Sequence, residues 1–304
     1  MDPIRTLDEM VMHVQALGKR RKIAVAAAQD PNTIGAIARA VESGFVEAIM
    51  IGNEPVIRDE AHRAGVDPGM FNVVNIPSDK AAAVEAVRMV RNDEADVLMK
   101  GLVSTGAFLK AVMDKENGLL PPKAVMTYVC ALEIPKYHKL LFISDTAVIP
   151  FPDLKQKIAM TNYAVNMARK FGIETPKVAL LSAAEKVSPH FQSSTDYAIM
   201  CKMADRGMIK NCIVDGPLDL FLACDPPSVE IKKVDTPIAG DADVCIFPSL
   251  ESSNTFYKGV MLFGGGELAG LIQGTTKPVV VMSRSESSAS KFYCVALSCL
   301  MVDD

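Results

Sequence analysis

RKIAVAAA (21–28), NTIGAIARAVESGF (32–45) and VEAIMIG (46–52) together decide the fold class. The first and third are short apolar runs of strand length, and the third closes on Gly52. Between them Ile34, Ile37, Ala38 and Val41 recur at helical spacing until Gly44 stops the run. Parallel strands need a crossover, so strand, amphipathic helix, strand is the repeating unit of a parallel α/β sheet.

The rhythm continues outward. FNVVNI (71–76) and ADVLMKG (95–101) read as strands, with DKAAAVEAVRMVRND (79–93) as the helix between them and another helix starting at Thr105. Further on, HKLLFISD (138–145), KVALLS (177–182), NCIVDG (211–216), ADVCIFPS (242–249) and KPVVVMS (277–283) read as strands. A helix capped by Asp153 and stopped near Gly172 joins the first two of these. The last helix runs from Ser287 to Leu300. Only IPFPDL (149–154) and CDPPSVEIKKVDTP (224–237) break the pattern as loops. The spacing predicts two α/β lobes connected by strands.

Composition narrows the function. Of 304 residues 49% are hydrophobic and 22% charged, which suits a globular chain with a sizeable core. Net charge is −4 with no basic stretch, and Trp is absent, which argues against nucleic acid and anionic membrane as partners. No apolar run approaches the ~20 residues that span a bilayer. The seven cysteines contain no CxxC, and the start MDPIRTLDEMVMHV has no signal-peptide core, so the expected location is the cytoplasm. His13, His62, His138 and His190 lack ligand spacing, and no resident metal is expected.

In parallel sheets ligands bind beyond the carboxyl ends of strands. Five strand ends carry chemistry. Ser283 and Arg284 precede a Ser-rich helix start, where free N–H groups and a guanidinium fork suit phosphate or carboxylate; a capped turn with a structural ion pair fits as well. Lys100, Gly101, Ser104 and Thr105 form a second turn of anion-binding types, without the Walker A spacing; an exposed lysine beside a cap would look the same. Asp145–Thr146 is an acid/base pair or a turn cap. Asn254, Tyr257 and Lys258 share one face of a helix start. Asp215 and Asp219 stand at metal-pair spacing, but Gly216–Pro217 between them makes a turn. GGGELAG (264–270) fails the dinucleotide spacing, with Ala269 at the last glycine position.

ADVCIFPSLESSNTFYKG (242–259), LAGLIQGTTKPV (268–279) and MSRS (282–285), taken together, resemble the phosphate acetyltransferase/phosphate butyryltransferase family. ADVLMKGLVST (95–105), YHKLLFISDTAV (137–148) and AAEKVSP (183–189) are closer to its butyryl branch. The resemblance implies a fold like that of the isocitrate and isopropylmalate dehydrogenases. In it two lobes flank a cleft, here residues 1–139 plus 281–304 and residues 140–280, and the chain forms a homodimer. It implies the reaction acyl-CoA + phosphate = acyl phosphate + CoA, by direct transfer in a ternary complex, with coenzyme A a substrate and no cofactor.

Carried across, Ser283 and Arg284 match the catalytic pair, and Asn254, Tyr257 and Lys258 the substrate-side helix; Lys100, Ser104 and Thr105 join them as anion-orienting residues. The acetyl branch has an aspartate, assigned to thiol deprotonation, where this chain has Ser290. Glu286 is the nearest carboxylate in the loop but does not align. Two routes to the thiolate remain: a carboxylate elsewhere, for which Asp145 is the candidate because it ends a strand facing the same side of the sheet, or direct stabilisation by Arg284 and the helix N-terminus. Two other readings compete: a metal- and NAD-dependent hydroxyacid dehydrogenase of similar fold, and a non-catalytic protein that binds CoA or acyl phosphate.

Overall fold

The computed structural model describes residues 2–283 and 286–303. In chain order its strands are β1 (Arg21–Ala26), β2 (Val46–Gly52), β3 (Asn72–Asn75), β4 (Val97–Lys100), β5 (Thr127–Glu133), β6 (Leu141–Ser144), β7 (Lys177–Leu181), β8 (Ile213–Leu218), β9 (Val244–Ile246), β10 (Glu267–Gln273) and β11 (Val279–Val280). The helices are α1 (Leu7–Ala16), α2 (Pro31–Glu42), α3 (Glu54–Arg63), α4 (Asp79–Arg91), α5 (Thr105–Val112), α6 (Leu154–Lys170), α7 (Gln192–Asp205), α8 (Leu220–Cys224), α9 (Pro226–Lys232), α10 (Leu250–Gly264) and α11 (Ser288–Leu300).

The chain packs as two compact units. The N-terminal unit is Leu7–Met126 with Leu268–Asp304. Its strands lie in the order β3-β2-β1-β4-β11-β10. All adjacent pairs from β3 to β11 are parallel; β10 runs antiparallel to β11. The central unit is Met1–Thr6 with Thr127–Glu267, in the order β5-β6-β9-β7-β8. There β6, β9, β7 and β8 are parallel and β5 antiparallel to β6.

These ranges differ from the lobes read from sequence. Residues 127–139 belong to the central unit because β5 pairs with β6. Residues 268–280 belong to the N-terminal unit because β10 pairs with β11, and β11 with β4. Both β5 and β10 escaped the sequence reading. Each runs antiparallel to the strand that follows it, with no helix between, so the strand–helix rhythm passes over them. GGGELAG is where α10 ends, at Gly265 in the left-handed region, and β10 begins. KPVVVMS contributes only Val279–Val280 as strand. Asp215 lies within β8, not in a turn, and binds the Thr236 hydroxyl; Asp219 caps α8 and pairs with Lys232.

Local signals place the helices. Asp153 and Gln156 form a reciprocal capping box that starts α6. Asp30 caps α2 with Pro31 at its first position, where the missing N–H costs nothing. α11 is buried along nearly its whole length. Phe292 anchors it under the Arg39 guanidinium, which sits 3.8 Å from the ring centroid, and beside Phe45.

Candidate active site

In the central unit Asp145 follows β6 and is buried. One carboxylate oxygen accepts the N–H groups of Ala147 (2.7 Å) and Val148 (2.9 Å). The other accepts the Thr127 hydroxyl (2.8 Å) and the N–H of Ile149 (3.0 Å). A carboxylate offers about four acceptor positions, so these four donors fill it. Burial pushes its pKa above the usual carboxylate value, against the opposing pull of those donors. The group is thus the organiser of the 145–149 turn, with no oxygen turned out to meet a thiol.

The same turn is fastened to α10. The Ser253 hydroxyl donates to the Asp145 carbonyl, and Asn254 Nδ2 donates to the Thr146 carbonyl at 2.9 Å. Tyr257 is buried one turn on, and Lys258 is exposed. Asn254 therefore joins the Asp145–Thr146 turn to the helix that bears Tyr257 and Lys258. Ser253 does the same, and sequence reasoning missed it.

In the N-terminal unit the parallel ladder of β1 and β4 runs on past β4. Gly101 and Leu102 donate to the carbonyls of Ala26 and Ala27, both at 2.8 Å. A Cβ at residue 101 would overlap those carbonyl oxygens, so only glycine fits. Lys100 is 7% exposed, and its ammonium curls back to the carbonyls of Gly101 (3.0 Å) and Val103 (3.3 Å). It is a brace of the turn; the exposed lysine that sequence allowed is not found. Ser104 caps α5 through the Ala107 N–H, and Ser104 and Thr105 are exposed at the helix N-terminus.

Next to this turn lies the Ser283 turn, because Val280 of β11 is in register with Met99 of β4. Ser283 is exposed; its N–H donates to the Glu286 carboxylate at 3.0 Å. The Glu286 N–H returns to the Ser283 carbonyl at 3.3 Å, and Ser287 caps α11. Arg284 and Ser285 lie outside the described residues. One turn into α11, buried Lys291 meets Asp30 at 3.0 Å. Burial opposes the charge on Asp30, but the Thr33 hydroxyl and Lys291 outweigh it and hold its carboxyl below the usual range.

Residues 79–299 match the family described as Phosphate acetyl/butaryl transferase. The chain belongs to that family. Phosphate butyryltransferase of Clostridium acetobutylicum is 39% identical over 298 residues, covering 98% of each chain. Phosphate acetyltransferase of Thermotoga maritima is 37% identical, covering 93% of this chain and 96% of its own. A branched-chain phosphotransacylase from Enterococcus faecalis V583 superposes with a TM-score of 0.81 at 28% identity, over 93% of this chain and all of its own. The family's members are transferases. The family stretches read from sequence fall, in the structure, on the strand ends just described: Ser283 after β11, Lys100–Thr105 between β4 and α5, and Asn254–Lys258 on α10.

A feature that no motif announced lies between α4 and α5. A cavity of about 730 Å³ is walled by Val84, Val87, Ala107 and Ala111, carries Lys80 and Lys110, and reaches Ser104. Its volume is in the range of small-molecule sites.

Proposed function

We propose that this protein transfers a short acyl group between coenzyme A and inorganic phosphate, acyl-CoA + phosphate = acyl phosphate + CoA, with butyryl preferred to acetyl. Transfer is direct, within a ternary complex. The carrying observation is the pairing of β11 with β4, which sets the Ser283 turn of the family's Ser-Arg pair beside the capped N-terminus of α5. Two adjacent turns of anion-binding types suit a reaction in which phosphate attacks or leaves.

In this reading Arg284 holds the phosphoryl oxygens with its planar fork and balances charge in the tetrahedral transition state. Ser283 donates to the developing oxyanion. Ser104 and Thr105 orient the anion, while Lys100 fixes their turn and lends it positive charge. On α10, Asn254 and Tyr257 shape the substrate side and Lys258 supplies an exposed cation. The α4–α5 cavity takes part of CoA, with Lys80 and Lys110 attracting its phosphates. Holding both substrates aligned supplies much of the rate.

The finer expectations accompany this reading: lobes arranged as in the isocitrate and isopropylmalate dehydrogenases, a homodimer and a cytoplasmic location. Exposed Leu262 and Phe263 at the end of α10 support association with a second copy. Neither the dehydrogenase nor the non-catalytic reading is favoured by the named relatives, which are transferases. The test is thiol release from acetyl-, propionyl-, butyryl- and isobutyryl-CoA, each with and without phosphate and without NAD. Phosphate-dependent release, fastest with a four-carbon acyl group, is the expected result. No release with any of them refutes the proposal, and equal or faster acetyl transfer refutes the chain-length preference alone.

A further inference from the structure

We infer that Cys224 and Cys245 form a redox site in the central unit: a dithiol that a small-molecule disulfide closes into an intramolecular disulfide and that a small thiol reopens. The inference is independent of the acyl-transfer reading above.

The two residues stand 21 positions apart, and no CxxC spacing announces them. The fold brings them together. Cys224 ends α8 and is half-buried; Cys245 is the middle residue of β9 and is buried. The Ala242 N–H donates to the Ala223 carbonyl at 3.0 Å, so the residue before Cys224 lies against the segment that enters β9. Tyr137 clasps the same place, its hydroxyl donating to the Ala242 carbonyl at 2.7 Å. Asp243 already keeps the strand ladder, its N–H donating to the Lys177 carbonyl at 2.9 Å. Side chains alternate along a strand, so Cys245 shares a face with Asp243. There the Lys139 ammonium bridges Asp243 at 2.7 Å and Asp241 at 2.8 Å. The two thiols meet beside this cluster: a hydrogen bond between them is the first influence on the proton affinity of each.

The surroundings give the two sulfurs different parts. The hydrogen bond from Cys245 holds the Cys224 thiol below its ordinary pKa against the pull of burial, and Tyr137 and Lys139 add to the effect. The same bond, and then burial, push Cys245 up. Cys224, the thiol with a path to solvent, is therefore the nucleophile, and Cys245 resolves. Elsewhere in the unit burial pushes Cys201 up to about 12 and Cys212 to about 11, which leaves both as poor competitors. Cys224, its proton lost to solvent, attacks one sulfur of the small disulfide. A mixed disulfide forms, and one small thiolate leaves and takes up a proton. Cys245 then attacks the Cys224 sulfur, and its proton goes to the second departing thiolate. Two protein thiols are oxidised, and one small disulfide is reduced to two thiols. In a reducing compartment the pair rests as the dithiol, the form in which it stands in the structure.

The experiment uses the full reduced chain near neutral pH, with peptide mass spectrometry as the readout. Iodoacetamide should alkylate Cys224 about tenfold or more faster than Cys201 and Cys212, because its larger thiolate fraction outweighs its lower intrinsic nucleophilicity. With oxidised glutathione in excess, the Cys224 and Cys245 peptides should become joined, and dithiothreitol should part them. In Cys245→Ala, Cys224 should stop at the mixed disulfide with glutathione. In Cys224→Ser no link should form and Cys245 should stay reduced. The alkylation order and the link are both read on wild type, so they decide the matter even if the buried Cys245→Ala variant does not fold. No Cys224–Cys245 link in excess oxidised glutathione, or Cys201 or Cys212 reacting ahead of Cys224, overturns the assignment.

Discussion

Asp145→Asn separates a structural carboxylate from a catalytic one. The substitution keeps shape and volume but turns one acceptor oxygen into an NH2 donor. If the NH2 takes the place of the oxygen nearest Thr127, the hydroxyl can rotate to accept, but the Ile149 N–H then faces a donor. The opposite orientation is worse, because it sets the NH2 against both Ala147 and Val148. The better choice leaves one buried N–H unsatisfied, at a cost of about 1–3 kcal/mol. Relief from burying a charge offsets part of this, since burial raises the Asp145 pKa. For a unit of this size the fall in melting temperature should be roughly 2–10 °C. Turnover should drop as the turn and the Asn254 contact loosen, and by a similar factor at every pH. The assay is butyryl-CoA formation from about pH 6.5 to 9.5, alongside thermal melts. A large loss of turnover that vanishes at high pH, with stability untouched, would refute the structural role and return Asp145 to the position of base.

Three further outcomes follow from the geometry. Asp30 has a lowered pKa when folded, so it contributes stability above its unfolded value near 3.9 and loses it as pH falls through the folded value; melts of wild type and Asp30→Asn should therefore differ at neutral pH and converge on acidification, and a gap that widens in acid contradicts the Lys291 pairing. Gly101→Ala should disrupt the β4–α5 turn and abolish activity, because its Cβ meets backbone on β1 that has no room to retreat; normal kcat in a soluble variant would show the turn to be dispensable. Lys80→Glu/Lys110→Glu should raise KM for butyryl-CoA about tenfold or more while leaving KM for phosphate alone, as expected if two charge-assisted contacts are lost; an unchanged KM removes the cavity from the CoA site.

Much of this arrangement was legible as strand ends. Ser104, Asp153 and Ser287 are local caps, whose partners lie three residues away, so sequence spacing exposes them. Asp145 was legible as a strand-end carboxylate, either acid/base or turn cap, but the full set of donors around it was not. Thr127, one of its four donors, sits on β5, an antiparallel strand invisible to a strand–helix rhythm. Lys100 reads from sequence as a residue of anion-binding type, while the reach of its ammonium to the carbonyls of Gly101 and Val103 is set by packing that sequence spacing does not show. The Lys291–Asp30 pair joins positions 261 residues apart, and nothing local in either segment points to the other. Glu286 was visible as a nearby carboxylate, yet only the folded loop places it against Ser283.

The most direct test of the account is phosphate-dependent release of CoA from butyryl-CoA by Arg284→Gln beside wild type, with folding checked by thermal melting. Arg284 is assigned to the phosphoryl group at the transition state. Loss of such a stabiliser costs on the order of 100–1,000-fold in turnover. The account predicts that loss with an unchanged melting temperature and only weak recovery in Arg284→Lys, whose ammonium lacks the guanidinium fork. A well-folded Arg284→Gln protein that releases CoA at near-normal rate would contradict it.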